Sequence, residues 1–315
     1  MLHDADRPAR LRQASSRLLD AMARVEAVPP MASGALVVGD EAHPTGLILV
    51  ERNRVCWAAA QGMGRRLRDI LRMHSQLPMS DAELESLYLR CRAEDRPLGE
   101  VLVERELVAP EKMRAAMKQH TVESLLALDA AYAGTDATTW DLRWVDRAER
   151  TYNPRYTFTA AEVLGAVGAS LLDETEAELI TDHLDTLAVS GCAIAAFAGE
   201  VRDAPLVVGA QTSLRLSVHD LVDLSEWATA ALEASPGFSP QVAHACAHSS
   251  DGGTVAWQFE HQVCAAVCAS RQALERLVST LGNRSLAMVL ATKLSVLERV
   301  RERMALTDAP AGAIR

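Results

Sequence analysis

His244, Cys246 and His248 alternate along one short stretch of this 315-residue sequence, and His261, Cys264 and Cys268 follow soon after. Imidazole and thiolate are the common zinc ligands, so His244, Cys246, His248 and Cys264 make a candidate metal site. On a strand the first three project from one face. The spacing argues against a closed site. His261 and Cys264 stand an odd number of residues apart and face opposite ways in a strand, and no CxxC pair occurs. The HxxxH pair converges on a helix, whereas a strand holds the two rings too far apart. Buried thiols and edge histidines are the expectation, with no metal bound.

His248, Ser249 and Asp251 carry the side chains of a hydrolase triad, but a hairpin tip is a poor place to hold a nucleophile and its base in register. The sequence contains no GxxxxGK[ST], GxGxxG or HExxH, so phosphate-loop, dinucleotide and zincin chemistry find no support in it. The expectation is a non-enzyme with no catalytic residue and no cofactor. The alternative is a regulator that senses a metal or a small molecule through the His/Cys-bearing hairpin.

The segments that must position these residues change period along the chain. From Ala160 one long amphipathic helix carries Val163, Leu164, Val167, Leu171, Leu172, Leu179, Ile180, Leu184 and Leu187, with Asp173-Glu174-Thr175-Glu176 as a possible break. Cys192 to Ala198 and Leu206 to Ala210 read as strands, and Val218 to Leu232 as a helix. Val242 to Ala247 and Thr254 to Phe259 read as strands joined by a turn at Ser249-Ser250-Asp251-Gly252-Gly253. A last strand, Cys264 to Ala269, follows a turn at His261-Gln262-Val263, then come a helix from Gln272 to Leu281 and a terminal helix from Met288 to Met304.

In the first half, Arg10 to Val28 is helical and Pro29-Pro30 ends it. Met31 to Val38 is strand material. Gly46 to Val50 and Val55 to Ala58 form a hairpin through Glu51-Arg52-Asn53-Arg54, and a helix leaves it from Arg65 to His74. Ser80-Asp81-Ala82-Glu83 is a capping box opening a helix to about Arg92. A short helix starts at Leu98. A longer one starts at Pro110, with Met113, Met117, His120, Leu125, Leu126 and Leu128 on its apolar face, and Thr138 to Val145 is a strand.

Hydrophobic residues make up 49% of the chain and charged ones 23%, a globular composition, while aromatics are only 4% and imply a core of small side chains. The length suits two domains. Residues 1–159 carry 22 Lys and Arg against 23 Asp and Glu, and residues 160–315 carry 10 against 19. So acidic a second half repels phosphate backbones and anionic lipid, and neither nucleic acid nor membrane is an expected partner. The six cysteines lack the spacing of a secreted disulfide scaffold, and the opening MLHDADRPARLRQ lacks a signal-peptide core. A cytoplasmic location is expected.

Gly46, Ile48, Arg54, Val55, Trp57, Ala58, Gly62, Leu67 and Leu71, continued by Pro97 to Glu104, Leu107-Val108 and Trp140 to Trp144, resemble the bacterial PATAN-type domain, an interaction module of signalling proteins. The resemblance transfers no catalytic residue. It makes Gly46, Arg54, Trp57 and Gly62 the heart of the motif, and a tryptophan in so aromatic-poor a chain is expected to dominate the local core. Leu98 to His120 also resembles a small helical element of secretion-type ATPases, without the paired, arginine-led repeat that nucleotide binding would need. Residues 160–282, in the order helix, two strands, helix, three strands, helix, resemble the Roadblock/dynein-light-chain group. Together these imply an α+β chain of two domains. One is an N-terminal hairpin-plus-helices module, the other a C-terminal Roadblock-like (profilin-like) α/β sandwich with a central antiparallel sheet. The expected divisions are an N-terminal helix at 1–30, the PATAN-like domain at 31–157, the Roadblock-like domain at 158–284, and a C-terminal helix and tail at 285–315. The function implied is a signalling adaptor that binds protein partners, a small Ras-like GTPase among them, and forms a homodimer.

Overall fold

The structure, a computed structural model, describes residues 7–75, 77–94, 96–133, 135–147, 152–198, 205–212, 214, 216–234, 244–249, 252–281, 286–288, 296, 298–300 and 302–303. Side chains are described for all of these except 7–9, 211–212, 244–249 and 286–288. The chain is α+β and divides into two compact units, Asp20–Val163 and Met1–Leu19 with Leu164–Arg315. Helix α1 (Arg7–Ala27) opens it.

In the unit Asp20–Val163, β1 (Ser33–Val38), β2 (Gly46–Glu51), β3 (Arg54–Ala60) and β4 (Leu142–Asp146) form an antiparallel sheet in the order β3-β2-β1-β4. The hairpin read from the sequence is β2–β3. Its turn residues Arg52 and Asn53 both have positive φ, 53° and 56°, the sense that matches the twist of the flanking strands. Asn53 secures this by donating its side-chain amide to the Glu26 carbonyl at 2.8 Å.

The unit also holds helices α2 (Leu67–His74), α3 (Asp81–Ala93), α4 (Leu98–Glu104) and α5 (Pro110–Ala131). The capping box is present at α3. Ser80 Oγ accepts from the Glu83 N–H at 3.3 Å, and the Glu83 carboxylate accepts from the Ser80 N–H at 2.8 Å. Helix α5 lies on β3 and α2 lies on α5. Ile70, Leu71, Leu84, Leu87, Val101, Leu102 and Met113 close the helical core, whose burial supplies most of the helices' stability. Beyond β4, Val55 and Phe158 exchange both backbone hydrogen bonds at 2.9 Å. Arg54 holds Thr157 through Oγ1 at 2.6 Å and through its carbonyl at 2.8 Å.

The second unit is built on a six-stranded sheet in the order β10-β7-β8-β9-β5-β6, comprising β5 (Cys192–Ala198), β6 (Val207–Thr212), β7 (His244–Ser249), β8 (Gly252–Phe259), β9 (Gln262–Cys268) and β10 (Leu286–Met288). Helices α6 (Ala160–Ala169), α7 (Glu174–Thr186), α8 (Val218–Glu233) and α9 (Arg271–Leu281) flank it. Cys192, Ile194, Ala196, Val255, Trp257, Cys264, Ala266 and Cys268 share one core with Ile180 and Leu184 of α7 and Ala273, Leu274 and Leu277 of α9. The small strand residues let helices approach closely. Helix α6 reaches the backbone of β6, where a Cβ added at Gly165 would stand 2.9 Å from the Ala210 nitrogen and one at Gly168 would overlap the Val207 carbonyl.

Several sequence expectations are corrected. The long helix from Ala160 is two helices, divided at the acidic block that the sequence offered as a break: Asp173 caps α7 by accepting from the Glu176 N–H at 2.9 Å, leaving Leu171 and Leu172 between them. Gly252 and Gly253 belong to β8, not to a turn, and the connection at 250–251 lies outside the described residues. The β8–β9 turn is Glu260-His261, with Glu260 at φ 51°, and Gln262 and Val263 are in β9. Met288 ends a strand instead of starting a helix: β10 pairs with β7 in parallel, so the sheet is not wholly antiparallel. Helix is seen at Val296, Glu298–Val300, Glu302 and Arg303, while Val289, Leu290, Leu294 and Leu297 lie outside the described residues. Among the described residues no helix is long and apolar enough to cross a membrane.

Candidate functional site

A cleft of about 680 Å³ opens in the unit Asp20–Val163, within the size range of ligand and peptide sites. Three periodicities build it. Trp57 and Ala59 stand two apart on β3 and share a face; Leu84, Glu85 and Tyr88 follow Asp81 at helical intervals on α3; Met113, Met117 and His120 form one stripe of α5. Met63, Arg65 and Arg66 enter from the segment before α2, Leu98 and Glu100 from α4, and Tyr152 and Tyr156 from the segment after β4.

At this wall the His120 ring lies against the Trp57 indole, with centroids 4.0 Å apart and planes inclined at 23°. His120 is 5% exposed, and burial pushes its pKa down to about 4 against a smaller upward pull from Glu123. The imidazole is therefore neutral at physiological pH, and its Nδ1 has no hydrogen-bond partner among the described residues. Tyr88, in the cleft lining, is 44% exposed, and the next residue of α3, Leu89, is 55% exposed.

The lining also carries charge. Arg65 pairs with the Glu123 carboxylate, Nε at 3.2 Å, and lies 3.1 Å from the Met73 sulfur. Glu123 also accepts from the Gln119 amide at 2.8 Å, and Gln119 Oε1 is 2.6 Å from His74 Nε2. Arg66, at the N-cap of α2, is exposed. Asp81, Glu85 and Glu100 also line the cleft, and Asp81 pairs with Arg72 of α2 at 2.7 Å. A neutral aromatic wall with charged residues in the same lining can hold an apolar or aromatic group by stacking and orient its polar neighbours by charge.

No family model, curated protein or solved structure matches this chain.

Of the four residues that the sequence singled out as the heart of its motif, one reaches the cleft. Trp57 is half-buried and lines it, so the expectation that it dominates a core is corrected: the fully buried tryptophans are Trp140 and Trp257. Arg54 ties β3 to Thr157. A Cβ at Gly46 would meet the Ala59 carbonyl and Leu128, and Gly62 turns the chain at φ 75° in open space.

The metal candidates are not brought together among the described side chains. His244, Cys246 and His248 have side chains outside the described residues, and strand register sets His244 and Cys264 on opposite flanks of Trp257. Cys264 is wholly buried, which drives its thiol pKa up. Among the described residues no group of three His, Cys, Asp or Glu could hold a metal ion. The sequence reading missed Tyr88, Tyr152 and Tyr156; it set His120 on the apolar face of its helix, and the residue is buried there, but it did not assign it to a cleft. The available signal was scarcity: the chain has four tyrosines, and three of them line this cleft.

Proposed function

We propose that this chain is a bacterial cytoplasmic signalling adaptor, a PATAN-like unit joined to a Roadblock-like one, that binds protein partners and performs no catalysis. The succession α6 and α7, β5, β6, α8, β7, β8, β9, α9 supports the Roadblock-like reading. The β2–β3 hairpin leading through Gly62 into α2 supports the PATAN-like one. The observation that carries binding is the meeting of Trp57, Tyr88, Tyr152 and Tyr156 with Met63 and Met117 in one cleft. Aromatic residues, Met and Arg are the types that protein interfaces concentrate at their centres.

The occupant is a segment of a partner protein that sets an aromatic or large apolar side chain against Trp57. An acidic group of that segment lies toward Arg66, the exposed guanidinium at the N-cap of α2. A small Ras-like GTPase is the partner class for the second unit, which also forms the homodimer. Peptides displayed on phage and selected against the purified full chain test the cleft. Enriched sequences should pair an aromatic residue with an acidic one and lose binding to the Trp57→Ala and Tyr88→Ala proteins. Peptides that bind both variants as well as the unaltered chain would contradict the reading.

A further inference from the structure

Cys192 opens β5 and Cys268 closes β9, and the two are directly opposite in the antiparallel register. The Ala269 N–H donates to the Gly191 carbonyl at 2.9 Å, a bond that brackets this pair from outside. That makes Cys192 and Cys268 a non-hydrogen-bonded pair, the kind whose Cα atoms come closest, near 4.5 Å in a typical sheet. A disulfide accepts Cα separations of about 4.4 to 6.8 Å. The Sγ atoms, both thiols, are already 2.9 Å apart. A movement of about 0.9 Å would bring them to bonding distance. Cys264, on the same face of β9, sits opposite Ala196 and has no such neighbour in the register.

We propose that Cys192 and Cys268 are a dithiol modification site that closes to a disulfide across β5 and β9 when the protein meets hydrogen peroxide. The Cys192 sulfur attacks the peroxide oxygen, the O–O bond breaks, and the departing hydroxide takes up a thiol proton to leave as water. The Cys268 sulfur then displaces hydroxide from the resulting sulfenic acid, which leaves as a second water as the S–S bond forms. Two electrons pass from the thiols to the peroxide.

Three features favour this pair. The Cys268 thiol holds Cys192 below the ordinary cysteine pKa, in spite of burial that raises it. Both cysteines lie at strand ends, where sheets open most readily. An open depression of about 580 Å³, lined by Val189, Ser190 and Gln272, adjoins the contacts of Cys192, which donates its backbone N–H to Val189 while its sulfur lies 3.8 Å from the Ala273 carbonyl. The pair is 2% and 0% exposed, so reaction waits on local opening and is slower than at a surface thiol. Once formed, the bond joins residues 76 apart in sequence and restricts the unfolded chain of the second unit.

The test is treatment of the full-length protein with hydrogen peroxide, followed by alkylation in denaturant and peptide mapping without reductant. A Cys192–Cys268 crosslinked peptide is expected, with the whole-protein mass lower by two hydrogens and a higher unfolding midpoint that dithiothreitol reverses. Cys192→Ser and Cys268→Ala should each abolish the crosslink and the midpoint shift. Recovery of both cysteines as alkylated peptides, or their conversion to sulfinic acid without a crosslink, would overturn the proposal. Because the mapping is done on the unaltered chain, it decides the matter even if a variant fails to fold.

Discussion

His120 lies flat on Trp57, with ring centroids 4.0 Å apart, and is held neutral by burial. Its folded-state pKa of about 4 lies below the ordinary histidine value, so between these two pH values the unfolded chain binds more protons. The contribution of His120 to stability is complete above about pH 6.5 and is lost as pH falls toward 4, a change on the order of 3 kcal/mol. Urea midpoints of the wild-type and His120→Phe proteins across that range should diverge by this amount, since phenylalanine keeps the stack and removes the proton. Parallel curves would mean that His120 titrates normally.

Trp57→Ala should cost about 1 to 2 kcal/mol, less than a core truncation, because the indole is half-buried and loses mainly one stacking partner. The first unit should remain folded by circular dichroism. A loss of 4 kcal/mol or more would return Trp57 to the core.

Gly168→Ala should destabilise the second unit by about 1 to 3 kcal/mol, since the added methyl overlaps the Val207 carbonyl and α6 must move off β6. Gly64→Ala is the control, with open space where the methyl would go. Thermal melts of the two variants should differ in that order.

Asp220 is fully buried and receives Arg299 Nε at 2.8 Å, Arg303, and the N–H and hydroxyl of Ser217. Burial raises its pKa, but the hydrogen bonds from Ser217 and Arg299 and the charge of Arg303 outweigh it, and the carboxyl stays below its ordinary value. Its stabilising effect is therefore present above the unfolded carboxylate pKa and lost as pH falls through the lower folded value. Asp220→Asn should cost about 2 to 4 kcal/mol and speed tryptic cleavage at Arg299 and Arg303. Unchanged cleavage would show that this ion cluster does not hold the helical residues around 296–303.

Local chemistry was readable from the sequence, and assembly much less so. The β2–β3 hairpin, the Ser80 box and the Cys192–Ala198 strand follow from nearest-neighbour patterns, and each appears in place. The residues Leu286–Met288 do not read as a strand, because only pairing with β7, some forty residues away, makes them one. The cleft was illegible for the same reason. Trp57, Tyr88, His120 and Tyr152 share no motif spacing, and what unites them is tertiary packing, in which α5 lies on β3, α4 lies on α5 and α3 lies on α4.

The measurement that bears most directly on a binding role is the affinity of a phage-selected peptide for the Tyr88→Ala protein, read by fluorescence polarisation beside a urea titration of the same sample. Tyr88 is substantially exposed, so its removal should leave stability within about 0.5 kcal/mol of the unaltered chain. If the cleft is the docking site, affinity should fall at least about tenfold, roughly 1.4 kcal/mol, with the fold intact. An unchanged affinity in a folded Tyr88→Ala protein would contradict it.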